Sequence, residues 1–355
     1  KMQRINKIFN NTKEMPLDEF ISSLMYNKKF GYYFNSEPFG KKGDFITSPG
    51  ISYLFSEMLA LWIVAFWEHL ERPKKFNVVE LGPGNGELSQ ILIKTFKRFP
   101  TFFKSSNIYL YEKSLKLINV QKKNLKNEKV NWIKNINQIQ NKPTIFFGNE
   151  FFDAIPIKQY KKINGVLYEK FISIGKRQKI NYSFKKAPKK IVNVLENLNL
   201  LKNQSFIEYP KKGFEELNKI TKFIRKSYGG LLLIDYGFLN QKNLDTLQSV
   251  KKHKKNELFN DMSKSDISSL VNFTLLKNYL KKEKLAVNKV VNQEFFLKKM
   301  GILQRAEIIS KKMSFKDKAD LFFRLKRLLD INYMGRLFKV IFAFKLKKKF
   351  LLGFN

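Results

Sequence analysis

The sequence predicts an α/β fold centred on a buried, mostly parallel sheet, and two patterns carry that expectation. Short, nearly continuous apolar runs at 78–81, 108–111, 144–147 and 230–234 alternate with stretches of helical periodicity. A glycine-rich run, Gly82-Pro83-Gly84-Asn85-Gly86, joins the first of these runs to an amphipathic helix marked by Leu88, Ile91, Leu92 and Phe96. At 355 residues, with 35 Phe as bulky core material, the chain is long enough for one large α/β domain with a substantial insertion, or for two domains.

Four regions succeed one another along the chain. An N-terminal helical lead is expected over 1–72. Within it Leu17, Phe20, Ile21 and Leu24 share a helix face over about 14–30, Pro16 suits the first turn, 31–49 form an elaborate Gly- and aromatic-rich loop, and a second helix runs from about Ser52 to Leu70. Residues 73–158 hold the strand from Phe76, the glycine turn and its helix, a strand over 108–111 that ends at Glu112, a weaker strand over 130–133, and a strand over 144–147 that delivers Asn149 and Glu150. Over 159–228 the pattern changes to an inserted antiparallel and helical region. Alternating residues between Tyr160 and Phe184 flank Asn164-Gly165, a favoured hairpin turn, Gly175 offers a second, and a helix comes next over roughly 190–201. Residues 229–355 complete the sheet with 230–234, which delivers Asp235-Tyr236-Gly237. A polar loop to about Ser263, further helices, a β-like stretch over 287–291 and a basic end from Phe338, expected to be partly flexible, close the chain.

Composition removes several chemistries. With no Cys there are no disulfides, thiol nucleophiles or thiolate metal sites, which suits a reducing compartment. The two His, His69 and His253, form no H-E-x-x-H pattern, so no metal is expected. The apolar run from Met58 to Trp67 is about half of what a bilayer span needs, so no transmembrane segment is expected. Residues 1–11 lack the apolar stretch of a signal peptide. The net charge of +38 points towards nucleic acid or an anionic membrane. Its Lys are spread along almost the whole chain, however, alongside abundant Asn, Ile and Phe, as AT-rich codons would produce, and local runs such as Lys347-Lys348-Lys349 read as solvated faces.

The glycine turn carries the first chemistry. Glycines let the chain bend sharply and let a ligand approach the backbone, and the helix N-terminus after them supplies donors for a carboxylate. Their spacing is G-x-G-x-G, with Glu87 where a dinucleotide pattern has its third glycine, which disfavours NAD. With Glu80 before it, the run reads as the cofactor-binding turn of a class I methyltransferase, Rossmann-like in architecture. Glu112, 26 residues after Gly86, stands where an acidic side chain accepts hydrogen bonds from ribose hydroxyls; the alternative is an exposed strand-end residue. Glu150, Asp153 and Asp235 belong outside the carboxyl ends of strands, where such sheets bind ligands. A helix N-cap by Asp153 and a solvated Glu150 remain the alternative.

The runs Gly31-Tyr32-Tyr33, Pro38-Phe39-Gly40, Gly43-Asp44-Phe45-Ile46-Thr47-Ser48-Pro49, Glu80 to Gly86, Asn149 to Pro156 and Asp235-Tyr236-Gly237 together resemble the MidA family. Asp245-Thr246-Leu247-Gln248, Asp266-Ile267 with Phe273, Gln293, Gly301-Ile302 and Met334-Gly335 with Phe338-Lys339-Val340 extend the resemblance over nearly the whole chain. It implies a class I methyltransferase fold with an added substrate-binding part, S-adenosyl-L-methionine as cofactor, and protein arginine methylation during respiratory complex I assembly. The location implied is the cytoplasm of a bacterial-type cell or, in a eukaryote, the mitochondrial matrix. Expected cofactor-binding residues are Asp44, Thr47, Glu80, Gly82, Gly84, Gly86, Glu112, Asn149 and Asp235, and expected catalytic residues are Glu150 and Asp153. Gly50 departs from the family, which usually has Glu after that Pro, so the substrate of this member is open.

Methyl transfer from a sulfonium is an in-line displacement, so a catalyst chiefly aligns donor and nucleophile and manages the leaving proton. A guanidinium lacks a ready lone pair at neutral pH, and carboxylates that orient it are appropriate. Three other readings stand beside this one: an RNA methyltransferase, suggested by charge; a non-catalytic assembly factor that keeps the fold as a binding module; and a nicotinamide oxidoreductase, disfavoured by the glycine spacing. Substrate protein and oligomeric state are not legible.

Overall fold

The computed structural model describes residues 2–10, 12–35, 53–202, 204–240, 243–251 and 254–355. The chain divides into two compact units. One comprises Lys1–Phe45, Phe152–Leu217 and Leu239–Tyr279, the other Ile46–Phe151, Asn218–Phe238 and Leu280–Asn355.

The second unit is built on the expected sheet. Its main strands are β1 (Phe76–Leu81), β2 (Ser106–Tyr111), β3 (Val130–Ile133), β4 (Thr144–Asn149), β5 (Gly229–Phe238) and β6 (Phe338–Lys345). They lie in the order β6-β5-β4-β1-β2-β3, and every neighbouring pair is parallel except β6 with β5. β6 therefore inserts antiparallel between β5 and the short strands Ala286–Val287 and Val291–Asn292. β1 is buried along its whole length, as a strand covered on both faces must be, and its one amide side chain, Asn77, donates from Nδ2 to Gln140 O at 2.8 Å and to Thr144 Oγ1 at 3.0 Å, while its Oδ1 is buried without a hydrogen-bond partner among the described residues.

The apolar run around Met58 lies in a core helix, Tyr53–His69, which is buried on nearly every side. Trp62 stacks on Phe66 at 5.7 Å and meets Phe342 of β6 edge-on at 5.0 Å, with Phe350 5.1 Å away. Such edge and offset contacts add about 1 kcal/mol each beyond burial. Among the described residues no helix is long and apolar enough to cross a membrane. The same Phe residues correct the expectation of a partly flexible basic end. Phe338, Val340, Ile341, Phe342, Ala343 and Phe344 are all buried, so the start of that segment is a strand of the central sheet, and the run Lys347-Lys348-Lys349 comes after the strand ends at Lys345.

The first unit contains the expected antiparallel region. Lys158–Ile163 and Val166–Ile174 form a hairpin around Asn164 and Gly165, whose φ values of 47° and 79° are those a tight two-residue turn requires. Glu14–Pro16 and Ile180–Lys186 pair with the second hairpin strand, and Phe206–Tyr209 with the first. The helix Leu17–Tyr26 buries Leu17, Phe20, Ile21 and Leu24, the face expected of it, but it starts after Pro16, which lies in the short strand before it. The polar loop expected from Gly237 to about Ser263 instead holds the strands Gln248–Lys251 and Lys254–Asn256, which with Asp266–Ser268 beyond it form a three-stranded antiparallel sheet.

One buried charge fixes the second unit's helices. Glu57, 2% exposed, takes two bonds from Arg305, Nε to Oε2 at 2.8 Å and an Nη to Oε1 at 2.9 Å, and a third from Arg98 at 3.0 Å. Replacing Arg305 by Leu leaves a buried carboxylate with one half-exposed partner. Urea unfolding of Arg305→Leu is expected to show a loss of about 3 kcal/mol; a variant as stable as the parent would mean that Arg98 alone satisfies Glu57.

Candidate active site

The strand order reverses between β1 and β4, and the candidate site is built on the carboxyl ends of these strands and of their neighbours β2 and β5. Beyond β1 the chain turns through Gly82, Gly84 and Gly86, all left-handed with φ of 64°, 56° and 84°. At Gly82 space adds to conformation, since a Cβ there would stand 2.9 Å from the Phe151 ring. Asn85 Oδ1 accepts the Glu87 amide at 3.0 Å and so opens the helix Glu87–Phe96.

Glu112 comes directly after β2. Its Oε1 accepts the backbone amides of Lys113 and Ser114, both at 2.8 Å, which fixes the carboxylate and leaves Oε2 with a longer contact of 3.4 Å to Gln121 Nε2. Burial pushes the Glu112 carboxyl above its ordinary range, and these hydrogen bonds pull it back. It is half-buried and anchored, unlike a free strand-end side chain.

Gln121 is the residue that sequence reasoning missed. Fully buried on the helix Leu115–Asn124, it donates to Gly84 O at 2.8 Å and accepts from Trp132 Nε1 at 3.0 Å, so one amide ties the glycine turn, Glu112 and β3 together. Its visible trace in the sequence was an amide in line with the apolar positions Leu117 and Ile118 of that helix.

Glu80 is 3% exposed and accepts a hydrogen bond from Ser89 Oγ of the helix behind the turn. Burial pushes its carboxyl up to about 7, with the Ser89 bond acting in the opposite direction.

At the end of β4, Asn149 Nδ2 donates to Glu150 Oε1 at 3.1 Å, while Asn149 Oδ1 is buried without a hydrogen-bond partner among the described residues. Glu150 itself is left-handed, φ 51°, and its amide donates to Ile234 O of β5 at 2.9 Å. A non-glycine residue held in that region carries strain of about 1 kcal/mol or more, which persists only where the surroundings impose it. Asp235 was expected just after its strand, but β5 continues through Phe238, so Asp235 lies within it, 1% exposed, with Oδ1 accepting the Tyr236 amide at 2.9 Å.

The second unit thus brings together Glu80, Gly82, Gly84, Gly86, Glu112, Asn149, Glu150 and Asp235. Asp153 belongs to the first unit. It is buried, its backbone carbonyl accepts the Ser269 amide at 3.1 Å, and the residues after it form a turn and no helix to cap. Nearby, Tyr33 donates to Asp266 Oδ1 at 3.2 Å and stacks on Tyr26 at 5.3 Å between ring centroids. Burial, with the charges of Asp266 and Asp153, holds the Tyr33 hydroxyl well above its usual range. Tyr33 and Asp266 stood in the family-like runs without a role. Asp44 and Thr47 lie outside the described residues, as does Gly50. Among the described residues no group of three or more His, Asp and Glu is placed to hold a metal ion.

Residues 58–291 match the family described as "Putative S-adenosyl-L-methionine-dependent methyltransferase". The chain belongs to this methyltransferase family. Its relatives include the protein arginine methyltransferase NDUFAF7, mitochondrial, of Xenopus laevis, 28% identical over 85% of this chain and 74% of that protein. The human protein of the same name is 26% identical over 84% and 73%. In fold the methyltransferase is similar to a Burkholderia thailandensis protein crystallised with S-adenosyl-homocysteine, with a TM-score of 0.81 and 19% identity over 100% of this chain and 92% of that one. The family is the one the MidA resemblance implied, and the methyltransferase takes S-adenosylmethionine as its cofactor.

The raised carboxyl of Glu80 gives this methyltransferase a pH signature. A carboxyl at about 7 in the folded state, against an ordinary 4.5, means that folding takes up a proton between those values. Stability from this group is therefore full below about pH 4.5 and lost as pH rises through about 7, by on the order of 3 kcal/mol. In Glu80→Gln that component is absent. Urea unfolding of parent and variant across this window should show a steeper decline in the parent; equal slopes would place the Glu80 carboxyl in the ordinary range.

Proposed function

We propose that this methyltransferase modifies a protein arginine side chain, with a subunit of respiratory complex I as the substrate that the MidA resemblance implies. The observation that carries the reading is Glu150, an acidic residue held left-handed at the end of β4, beside the reversal of strand order and bonded to Asn149. The names of the relatives agree with this substrate class.

The residues present fit S-adenosylmethionine. The left-handed glycine turn is a cradle that a side chain at Gly82 would fill, Glu112 keeps Oε2 without a short bond, and the buried Asn149 Oδ1 calls for a donor. When bound, the cofactor supplies an electrophilic methyl group on a sulfonium. The amides of Gly82, Gly84 and Gly86 and the helix N-terminus after them would receive its carboxylate, and Glu112 its ribose hydroxyls. Asn149, Asp235, Asp44 and Thr47 are assigned to the same cofactor, with Glu80 bracing the turn through Ser89.

Glu150 and Asp153 are each assigned the work of a carboxylate on the guanidinium: to fix its orientation, localise its charge on one nitrogen, and accept the proton that nitrogen loses. Residues 159–228 are assigned to substrate reception. The absence of cysteine suits the reducing cytoplasm or mitochondrial matrix.

RNA methylation is the second reading. It is favoured by an open groove of about 570 Å³ whose lining, among the described residues, includes Lys162, Lys186, Lys189 and Lys202 against the single acid Glu196. Lysate proteins and RNA incubated with isotopically labelled S-adenosylmethionine separate the two, with Gly84→Val as the variant that loses the cofactor turn. Label in protein arginine is expected, and label confined to RNA would overturn the assignment. Glu150→Gln and Asp153→Asn should each lower turnover about a hundredfold or more while cofactor binding by calorimetry persists. If both amide variants methylate at the parent rate, the catalytic assignment is wrong.

A further inference from the structure

We propose that the tip formed by the helices Ile302–Ser310 and Phe315–Leu329 docks on an anionic lipid headgroup layer. The two helices pack against each other in the second unit and are joined by a short turn over 311–314. The helix Phe315–Leu329 buries Leu325, Leu328 and Leu329. A second apolar stripe on the same helix is left in water. Phe315, Ala319, Phe322 and Phe323 stand at i, i+4, i+7 and i+8, which is one helix face, and all four are exposed, Phe315 by 89% and Phe323 by 63%. Met313 in the turn and Ile308 on the neighbouring helix are exposed as well. Scattered apolar residues on a surface need no explanation, but three aromatic rings on one exposed helical face do.

The charges around this face decide what covers it. At the start of the face Lys311, Lys312, Lys316 and Lys318 are in excess, since further along Asp320 is paired with Arg324 Nε at 2.7 Å and the remaining acid over 311–324 is Asp317. That acid accepts the Ser314 hydroxyl at 2.7 Å, while Ser314 Oγ accepts the Asp317 amide at 3.2 Å and starts the helix sharply at the tip. A second copy of the chain would bring the same four cations against themselves across a two-fold interface. An anionic lipid layer accepts both features at once, since the rings enter the boundary between headgroups and acyl chains while the lysines reach the phosphates. Arg305, on the first of the two helices, ties that helix to buried Glu57.

Vesicle flotation of the full chain tests the proposal, with phosphatidylcholine vesicles with and without phosphatidylglycerol. The parent should float with the anionic vesicles and much less with the neutral ones. Phe315→Ser combined with Phe323→Ser should reduce flotation roughly tenfold or more. Lys311→Glu with Lys312→Glu should reduce it comparably, whereas the same charge change at the exposed Lys254 and Lys255, outside the tip, should leave it near the parent level. Circular dichroism of each variant confirms folding, since all these side chains are exposed. Flotation of the Phe double variant equal to the parent, or equal loss from the Lys254 and Lys255 reversals, would reduce the effect to overall charge and overturn the proposal. So would a parent dimer in light scattering that the Phe double variant converts to monomer, which would make the face a contact between copies.

Discussion

β1 and β4 run side by side in parallel although two other strands separate them in sequence, and this adjacency constrains the loops that leave both. From the centre of the sheet, β2 and β3 extend to one side and β5 and β6 to the other, so the chain beyond β1 and β4 meets an edge that no crossover covers. The register places Glu80 opposite Phe147, so Gly82 and Asn149, each two residues on, leave the sheet at the same level. Both exits use left-handed backbone, at Gly82 and at Glu150. The glycine relieves a conformational and steric demand made worse by Phe151, whereas the glutamate bears the demand. Strain is therefore tolerated at Glu150 and removed at Gly82, although backbone geometry alone would favour glycine at both exits.

The same unit handles three carboxylates in three ways, and environment rather than residue type separates them. Glu57 is buried with two arginines and acts as a structural anion. Glu80 is buried with only a serine hydroxyl, so its proton is retained to about pH 7 and it behaves near neutrality partly as a neutral acid. Glu112 is half-buried with one oxygen held by backbone amides, which keeps an oriented acceptor at the end of β2. Gln121 links this last group to Gly84, so a displacement of the glycine turn is passed to Glu112 through a single side chain that bonds both.

Much of the fold is legible in the amino-acid sequence. The parallel strands stand out as apolar runs, and Asn164-Gly165 marks its hairpin, because in both cases local residue chemistry and final environment agree. The glycine turn and Glu112 are legible for the same reason. The features that escape are non-local. The strands Gln248–Lys251 and Lys254–Asn256 are short and lysine-rich, so their pairing rests on backbone bonds that no periodicity reveals. Phe338–Lys345 is obscured by the cationic residues beyond it, though its buried side chains make it a central strand. Gln121 can be seen only as an amide on an apolar stripe, and its three partners come from β1's turn, the end of β2 and β3.

A net charge of +38 makes adhesion to any polyanion an easy result, and its weight as a functional indicator is small for that reason. Lysines distributed over the whole surface raise affinity for RNA, anionic lipid and acidic protein alike, and salt screens all three similarly. Discrimination therefore has to come from features that are not charge. In the first unit the groove among Lys162, Lys186, Lys189 and Lys202 also contains Val166, Leu167 and Val192, a mixed lining that among the described residues has no aromatic ring on which a base could stack. At the helical tip of the second unit the opposite holds, with exposed rings ordered along one face and cations gathered around them. Apolar surface kept in water at that density opposes folding and solubility, and the sequence retains it where the adjacent face of the same helix supplies the core.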